Sequence, residues 1–191
     1  MPCNLDFFIE DINADQEWTK KGYDLIRAGN LSTAVQDWHA FVEKAYQSLL
    51  PGGAFEVHDL IPLPFFDESS SADDAAKQRS QRIREAFLKF NIDPLAPLQL
   101  TQILEAVGFR DVKREVFYVD ANTELELLNF AKDWFREVVD GLTKKAFRQG
   151  LRWSEVERTE FVEWWRVFYR SVGRSHFRGC FKFVVISGIR S

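Results

Sequence analysis

The chain has little of what marks secretion, membrane insertion or nucleic-acid binding. Its 191 residues carry two cysteines, Cys3 and Cys180, enough for at most one bridge, whereas small secreted domains rely on several. Met1 is followed by Pro2 and soon by Asp6, Glu10 and Asp11, so the basic and then apolar start of a secretory leader is missing. There is no apolar run of the roughly eighteen residues that a membrane-spanning helix needs. Positive charge is not in excess either: Lys and Arg number 25 against 29 Asp and Glu, a formal net charge of −4. Binding a phosphate backbone needs clustered Lys and Arg, and Arg27, Arg79, Arg82, Arg84 and Arg152 are scattered among acids. These absences predict a reduced, cytoplasmic protein without nucleic-acid or membrane partners, and no residue pattern calls for a metal.

What is present suits one compact domain over residues 1–191, since 46% apolar content at this length can bury a sizeable core. Tyr23 to Ala28 is a short apolar run that reads as a strand. Ala34, Val35, Trp38, Phe41, Val42, Ala45 and Leu49 then recur at three- and four-residue steps, the apolar face of a helix. Thr33 and Gln36 have capping-box spacing at its start, and Pro51-Gly52-Gly53 is expected to stop it before a buried strand over Ala54 to Val57.

Beyond this unit the pattern becomes helical. Leu60 to Asp74, with Pro62, Pro64 and Ser69-Ser70-Ser71, reads as a loop. Ala75 to Phe90 reads as a helix, Asn91 to Pro97 as a break, and Leu98 to Val107 as a helix capped by Gly108. Val112 to Val119 alternates as a strand. Thr123 with Glu126 opens a helix bearing Phe130, Trp134 and Phe135, and Ser154 with Glu157 opens another bearing Phe161, Trp164 and Trp165. Phe181 to Ile186 closes as a strand. Aromatic stripes at helical spacing are usually core. As a cluster, with 18 Phe and 6 Trp in the chain, they also suit an apolar wall for a flat hydrophobic ligand.

The string running from Tyr23-Asp24-Leu25-Ile26 through Asn30-Leu31, Asp37-Trp38 and Leu49-Leu50-Pro51-Gly52-Gly53-Ala54-Phe55-Glu56-Val57 to Asp59 resembles the second half of class I S-adenosylmethionine-dependent methyltransferases, in particular the fungal secondary-metabolism branch with its regulator-like members. Asn4 to Asp11 with Trp18 is similar to that family's third strand and the acidic turn after it, Gly108-Phe109-Arg110-Asp111-Val112 to the start of its sixth strand, and Phe181 to Arg190 to its closing strand. The resemblance implies an α/β fold: the C-terminal half of a Rossmann-like sheet, with strands equivalent to 4-5-7-6, the seventh antiparallel, and an enlarged helical lid. Residues 60–107 and 120–175 would be helical insertions forming that lid and the substrate pocket. The family's glycine-rich GxGxG loop and the acid that holds the ribose have no counterpart before Tyr23, so the domain is expected to be N-terminally truncated.

The family also implies S-adenosylmethionine as cofactor, with Asp11 near the adenine amino group and Asn30 lining the cofactor. His58, at the carboxyl end of the strand after Gly53, is the candidate general base, because imidazole titrates near neutrality and doubly wound sheets take ligands at that edge. Asp59 would either orient the imidazole or cap the next turn. Arg27, Phe65, Phe66, Phe130, Trp134 and Trp165 are the expected substrate pocket. At two positions the chain departs from the pattern: Arg27-Ala28-Gly29 stands where relatives commonly read His-x-Arg, and His58 where they have Gln or Glu. His39 is expected on a solvated helix flank.

Three functions follow as expectations. One is methyl transfer to a small hydrophobic or aromatic metabolite. Another is a repurposed enzyme, a cyclase or isomerase of a polyketide-like intermediate, and the third a non-catalytic partner subunit of a full-length methyltransferase. Without strands one and two, strand four would be a bare edge that invites a second chain, predicting a homodimer or heteromer.

Overall fold

The computed structural model describes residues 11–14, 22–63, 65–66, 74–119 and 179–191, with single positions at 9, 129, 133, 137, 141 and 159. Strand β1 (Tyr23–Gly29) and strand β2 (Leu49–Leu60) lie parallel, from Leu25 beside Ala54 to Gly29 beside His58. Parallel neighbours need a crossover, and helix α1 (Trp38–Ser48) provides it. Of its expected apolar face, Trp38, Phe41, Val42 and Ala45 are buried on the helix; Val35 in the turn before it and Leu49 at the start of β2 are buried too, and Ala34 is half-buried.

Both ends of α1 differ from the sequence expectation. The N-cap is Asp37, whose Oδ1 accepts from the Ala40 N–H at 2.9 Å, and not Thr33. Ala34 and Val35 form a turn on the Leu31 carbonyl, and Gln36 is engaged elsewhere, its N–H donating to Asn13 Oδ1 and its side chain to the Phe90 carbonyl. The helix is over by Ser48, ahead of Pro51-Gly52-Gly53, because β2 begins at once with Leu49. The Pro-Gly-Gly turn instead bulges out between the pairs Tyr23–Leu49 and Leu25–Ala54. A Cβ on Gly53 would sit 2.9 Å from both the Leu50 and the Tyr23 carbonyl oxygens, so glycine is what lets β1 close against β2 here.

Strand β3 (Phe65–Phe66) is short, and helix α2 (Asp74–Leu88) follows. Past α2, Asn91 takes φ 58°; its N–H reaches the Leu88 carbonyl and that of Ile92 the Phe87 carbonyl, the two bonds of a Schellman motif. A 3-10 turn (Ala96–Gln99) leads into helix α3 (Leu100–Val107), which Gly108 caps at φ 111°. Strand β4 (Phe109–Val119) starts earlier than the alternation predicted and carries a bulge between Arg110 and Lys113, where Asp111 has φ 53°. Strand β5 (Gly179–Arg190) runs antiparallel to both β2 and β4, and its first residues pair with β3.

The main sheet therefore has the order β1-β2-β5-β4, with β5 alone reversed. This is a mixed α/β, Rossmann-like arrangement with the strand order that the sequence resemblance implied. One face packs on the helices. Phe55, Val57, Val184 and Ile186 are fully buried beneath Phe41, Val42, Ile83, Phe87, Leu100 and Leu104. A chain of rings runs through it, Trp38 to Phe41 (5.7 Å), Phe41 to Phe55 (6.1 Å), Phe55 to Phe109 (5.8 Å) and Phe109 to Tyr46 (4.9 Å). Arg190 ties the last strand to the end of α1, donating to the Gln47 and Leu49 carbonyls while its guanidinium lies 5.1 Å over the Tyr46 ring. Cationic donors at a helix C-terminus satisfy its orphan carbonyls. α2 and α3, the described helices of the 60–107 stretch, share this core. Residues 120–175, apart from the single positions named, lie outside the described residues.

Candidate site at the carboxyl ends of β1 and β2

The two parallel strands end side by side, and the loop leaving β1 is pinned by β2. Asn30 adopts φ 56° and donates its N–H to the His58 carbonyl at 3.0 Å. The next two N–H groups, of Leu31 and Ser32, both donate to Asp59 Oδ2, at 2.7 and 2.9 Å, and Ser32 Oγ donates to the Leu60 carbonyl. Asp59 is wholly buried, and its Oδ1 has no hydrogen-bond partner. Burial pushes its carboxyl up from 3.8 to about 6, against the lowering effect of the hydrogen bonds from Ser32 and Leu31. Asp59 does cap a turn, but it is the one after β1 and not the next turn along the chain.

His58 cannot share that environment, because successive strand residues face opposite sides of a sheet. It lies on the other face, 24% exposed, with Glu56 two residues before it. Arg27, across on β1, places Nη2 3.2 Å from His58 Nδ1. A guanidinium can only donate, so Nδ1 is the acceptor and the neutral imidazole carries its proton on Nε2. Nε2 lies 3.4 Å from Glu56 Oε2, without hydrogen-bond geometry, and is buried. The lone pair a general base would use therefore points at Arg27. That side chain is exposed, so base chemistry at His58 requires it to swing away.

Farther across the same face, the His58 ring meets Phe183 edge-on at 6.5 Å, and Phe183 meets Phe117 at 6.4 Å. Glu56, Phe117 and Phe183 were not singled out from the sequence. The alternation Ala54, Glu56, His58 against Phe55, Val57, Asp59 already separates two faces and would have grouped Glu56 with His58 and set Asp59 apart.

The remaining expected residues disperse. Asp11 is exposed and accepts the Asn13 N–H on Oδ1 at 3.0 Å. Asn13, which sequence reasoning passed over, holds this turn to the loop after β1 by donating to the Ala34 carbonyl and accepting from the Gln36 N–H, both at 2.9 Å. Phe65 is half-buried with Lys182 Nζ 4.0 Å over its ring. For Phe66 only the backbone pairing with Gly179 is described. Phe130, Trp134 and Trp165 lie outside the described residues. His39 is 54% exposed beside Glu43.

S-adenosylmethionine, the cofactor the resemblance implies, needs free backbone N–H groups around its charged end and a partner for its ribose. Among the described residues the N–H groups leaving β1 are already taken by His58 and Asp59. Asp11 and Asn30 supply polar side chains near this edge and nothing resembling the whole cradle, so the described residues do not hold the cofactor by themselves. Among them there is also no group of three or more His, Cys, Asp or Glu side chains that could hold a metal ion, and no helix long and apolar enough to cross a membrane.

No protein-family model matches the chain. Its sequence is similar to the methyltransferase pytC of Aspergillus terreus, 23% identical over 166 residues that make up 82% of this chain and 50% of that protein. The pytC protein of A. terreus strain NIH 2624 is 24% identical over the same shares. The chain thus spans about half the length of the curated relatives it matches. Among solved structures it is similar to phosphoethanolamine N-methyltransferase 2 of Haemonchus contortus with phosphomonomethylethanolamine and S-adenosylhomocysteine, with TM-score 0.43 and 13% identity over 91% of this chain and 35% of that one. It is also similar to the [4+2]-cyclase SpnF, with TM-score 0.46 and 12% identity over 95% and 55%. A further likeness is to the cyclopropane synthase MmaA2 of Mycobacterium tuberculosis, with TM-score 0.44 and 15% identity over 87% and 56%. In sequence and in sheet order the chain is methyltransferase-like.

Proposed function

We propose that the chain is the acceptor-binding half of an S-adenosylmethionine-dependent methyltransferase for a small hydrophobic metabolite, of the fungal secondary-metabolism type. Its methyl donor is held by a glycine-rich half that this sequence does not contain. The observation that supports the reading most is the sheet: a parallel pair, a reversed strand and then β4, with a pinned loop at the carboxyl ends where doubly wound sheets take ligands. The half-length match to a methyltransferase agrees with it. In this reading the missing half pairs along β1, an edge of the sheet among the described residues, whose Leu25 is 53% exposed, since a strand edge is a template for another strand.

Calorimetry with S-adenosylhomocysteine tests the division of labour. The 191-residue chain alone should show no micromolar binding, and the same chain joined to the glycine-rich half of a pytC-type methyltransferase should bind and methylate a hydroxylated aromatic acceptor. Micromolar binding by the chain alone would refute the missing-cradle part. A folded but silent joined protein would count against methyl transfer, and turnover of a polyketide-like substrate without the donor would establish the cyclase or isomerase alternative in its place. Light scattering on the chain alone separates a homodimer across β1 from an edge reserved for the donor half.

A further inference from the structure

The two positions at which this chain departs from the pattern it resembles, Arg27 and His58, touch each other across β1 and β2. They begin a diagonal stripe across the half-exposed face of the sheet. It runs from the Arg27 guanidinium to the His58 imidazole (3.2 Å), on to the Phe183 ring (6.5 Å) and then to the Phe117 ring (6.4 Å), one residue from each of the four main strands. Phe117 is 50% exposed.

Among the described residues no carboxylate lies within ion-pair distance of Arg27, and its neighbour Glu56 leans to His58 instead. Among the described residues the Arg27 side chain makes one donation, to His58 Nδ1, out of five N–H donors. An exposed arginine is commonly free and solvated, but this one rests on an imidazole whose other nitrogen is buried beside Glu56. On this face Glu56 is the register neighbour of Arg27 on β2, while Lys113 opposite Ser187 and Glu115 opposite Val185 stand on β4, three strands from β1. The stripe thus has a cation at one end and rings at the other, at the edge of the sheet where ligands bind.

We propose that this stripe binds a flat hydrophobic carboxylic acid, with the carboxylate on Arg27 and the ring body along Phe183 and Phe117. The inference rests on the acceptor-side reading and narrows its substrate class to acids. A bidentate guanidinium–carboxylate pair is strong and directional, while edge and face contacts with two phenylalanines suit a planar body.

The test is a pair of probes titrated into the 191-residue chain by NMR, 1-naphthoate and the uncharged 1-naphthalenemethanol. Naphthoate should bind more tightly, Arg27→Gln should weaken it by about tenfold, the loss of one charge-assisted contact, and binding of the alcohol should be unchanged in the variant. Circular dichroism checks that the exposed substitution leaves the fold intact. If acid and alcohol bind equally and Arg27→Gln alters neither, the inference falls while the apolar acceptor site stands. If neither probe binds, the acceptor-side reading falls with it.

Discussion

The two faces of the sheet are built from the same strands and have opposite fates. On the helix-covered face Phe55, Val57, Asp59, Val184 and Ile186 are all fully buried. On the other, Glu56 and His58 keep 37% and 24% of their side-chain surface and Phe117 half of its own. One face excludes water and carries stability. The other keeps charge, an imidazole and exposed rings, groups that add little to a core and much to recognition. The difference is sharpest between neighbours: Asp59 is locked under the loop after β1, whereas His58 exchanges a contact with an exposed arginine.

Phe55→Ala should hit the buried face hardest. The ring touches Phe41 and Phe109 and is fully buried, so its removal should cost about 4 kcal/mol, as aromatic truncations in cores do. Urea unfolding measures it. A cost near that of an exposed-face substitution would mean that the two faces are not energetically distinct.

Next comes Asp59→Asn, with a sign that depends on pH. The folded-state pKa is raised from 3.8 to about 6 by burial, so the native state holds a proton that the unfolded chain releases. The stability linked to this group is fully present below the ordinary carboxylate range and is lost as pH rises through about 6. A shift of that size corresponds to about 3 kcal/mol. An asparagine carbonyl at the Oδ2 position can still accept from Leu31 and Ser32, and its amide replaces an oxygen that already lacks a partner. Asp59→Asn should therefore equal the parent near pH 4 and exceed it at pH 7.5. Denaturation midpoints across pH measure the difference between the two proteins, which cancels other carboxylates such as Asp93. Burial acts to raise Asp93, but donors from Arg84 and Leu95 outweigh it and hold that group below its usual value. A constant difference at all pH values would show that Asp59 titrates normally.

Much of the fold was readable because it depends on short-range pattern. The face of α1, the end of α2 at Asn91 and the Gly108 cap are local features, and they stand where the sequence placed them. The ends of α1 were not readable, because they are decided at a distance. Gln36 is drawn to Asn13 and Phe90, and Pro51-Gly52-Gly53 serves the approach of β1, not the exit of the helix. The site was half readable for the same reason. Strand position pointed to His58 and Asp59, but adjacency in sequence suggested a couple that strand geometry forbids. The partner that His58 does have, Arg27, is 31 residues away and becomes a neighbour only through the parallel register.

The smallest expected effect sharpens the contrast most. His58→Gln changes the residue next to Asp59, yet its side chain stands on the half-exposed face, and a glutamine carbonyl can accept from Arg27 where Nδ1 did. What is lost is one ring contact with Phe183 and one acceptor that has a substitute. Stability should change by less than about 0.5 kcal/mol, the range of ordinary surface substitutions, and the pH dependence owed to Asp59 should survive intact. A loss near that of Phe55→Ala would place His58 in the core after all. A flattened pH profile would show that 58 and 59 do communicate through the strand, and the division between a face for folding and a face for recognition would have to be redrawn at these two residues.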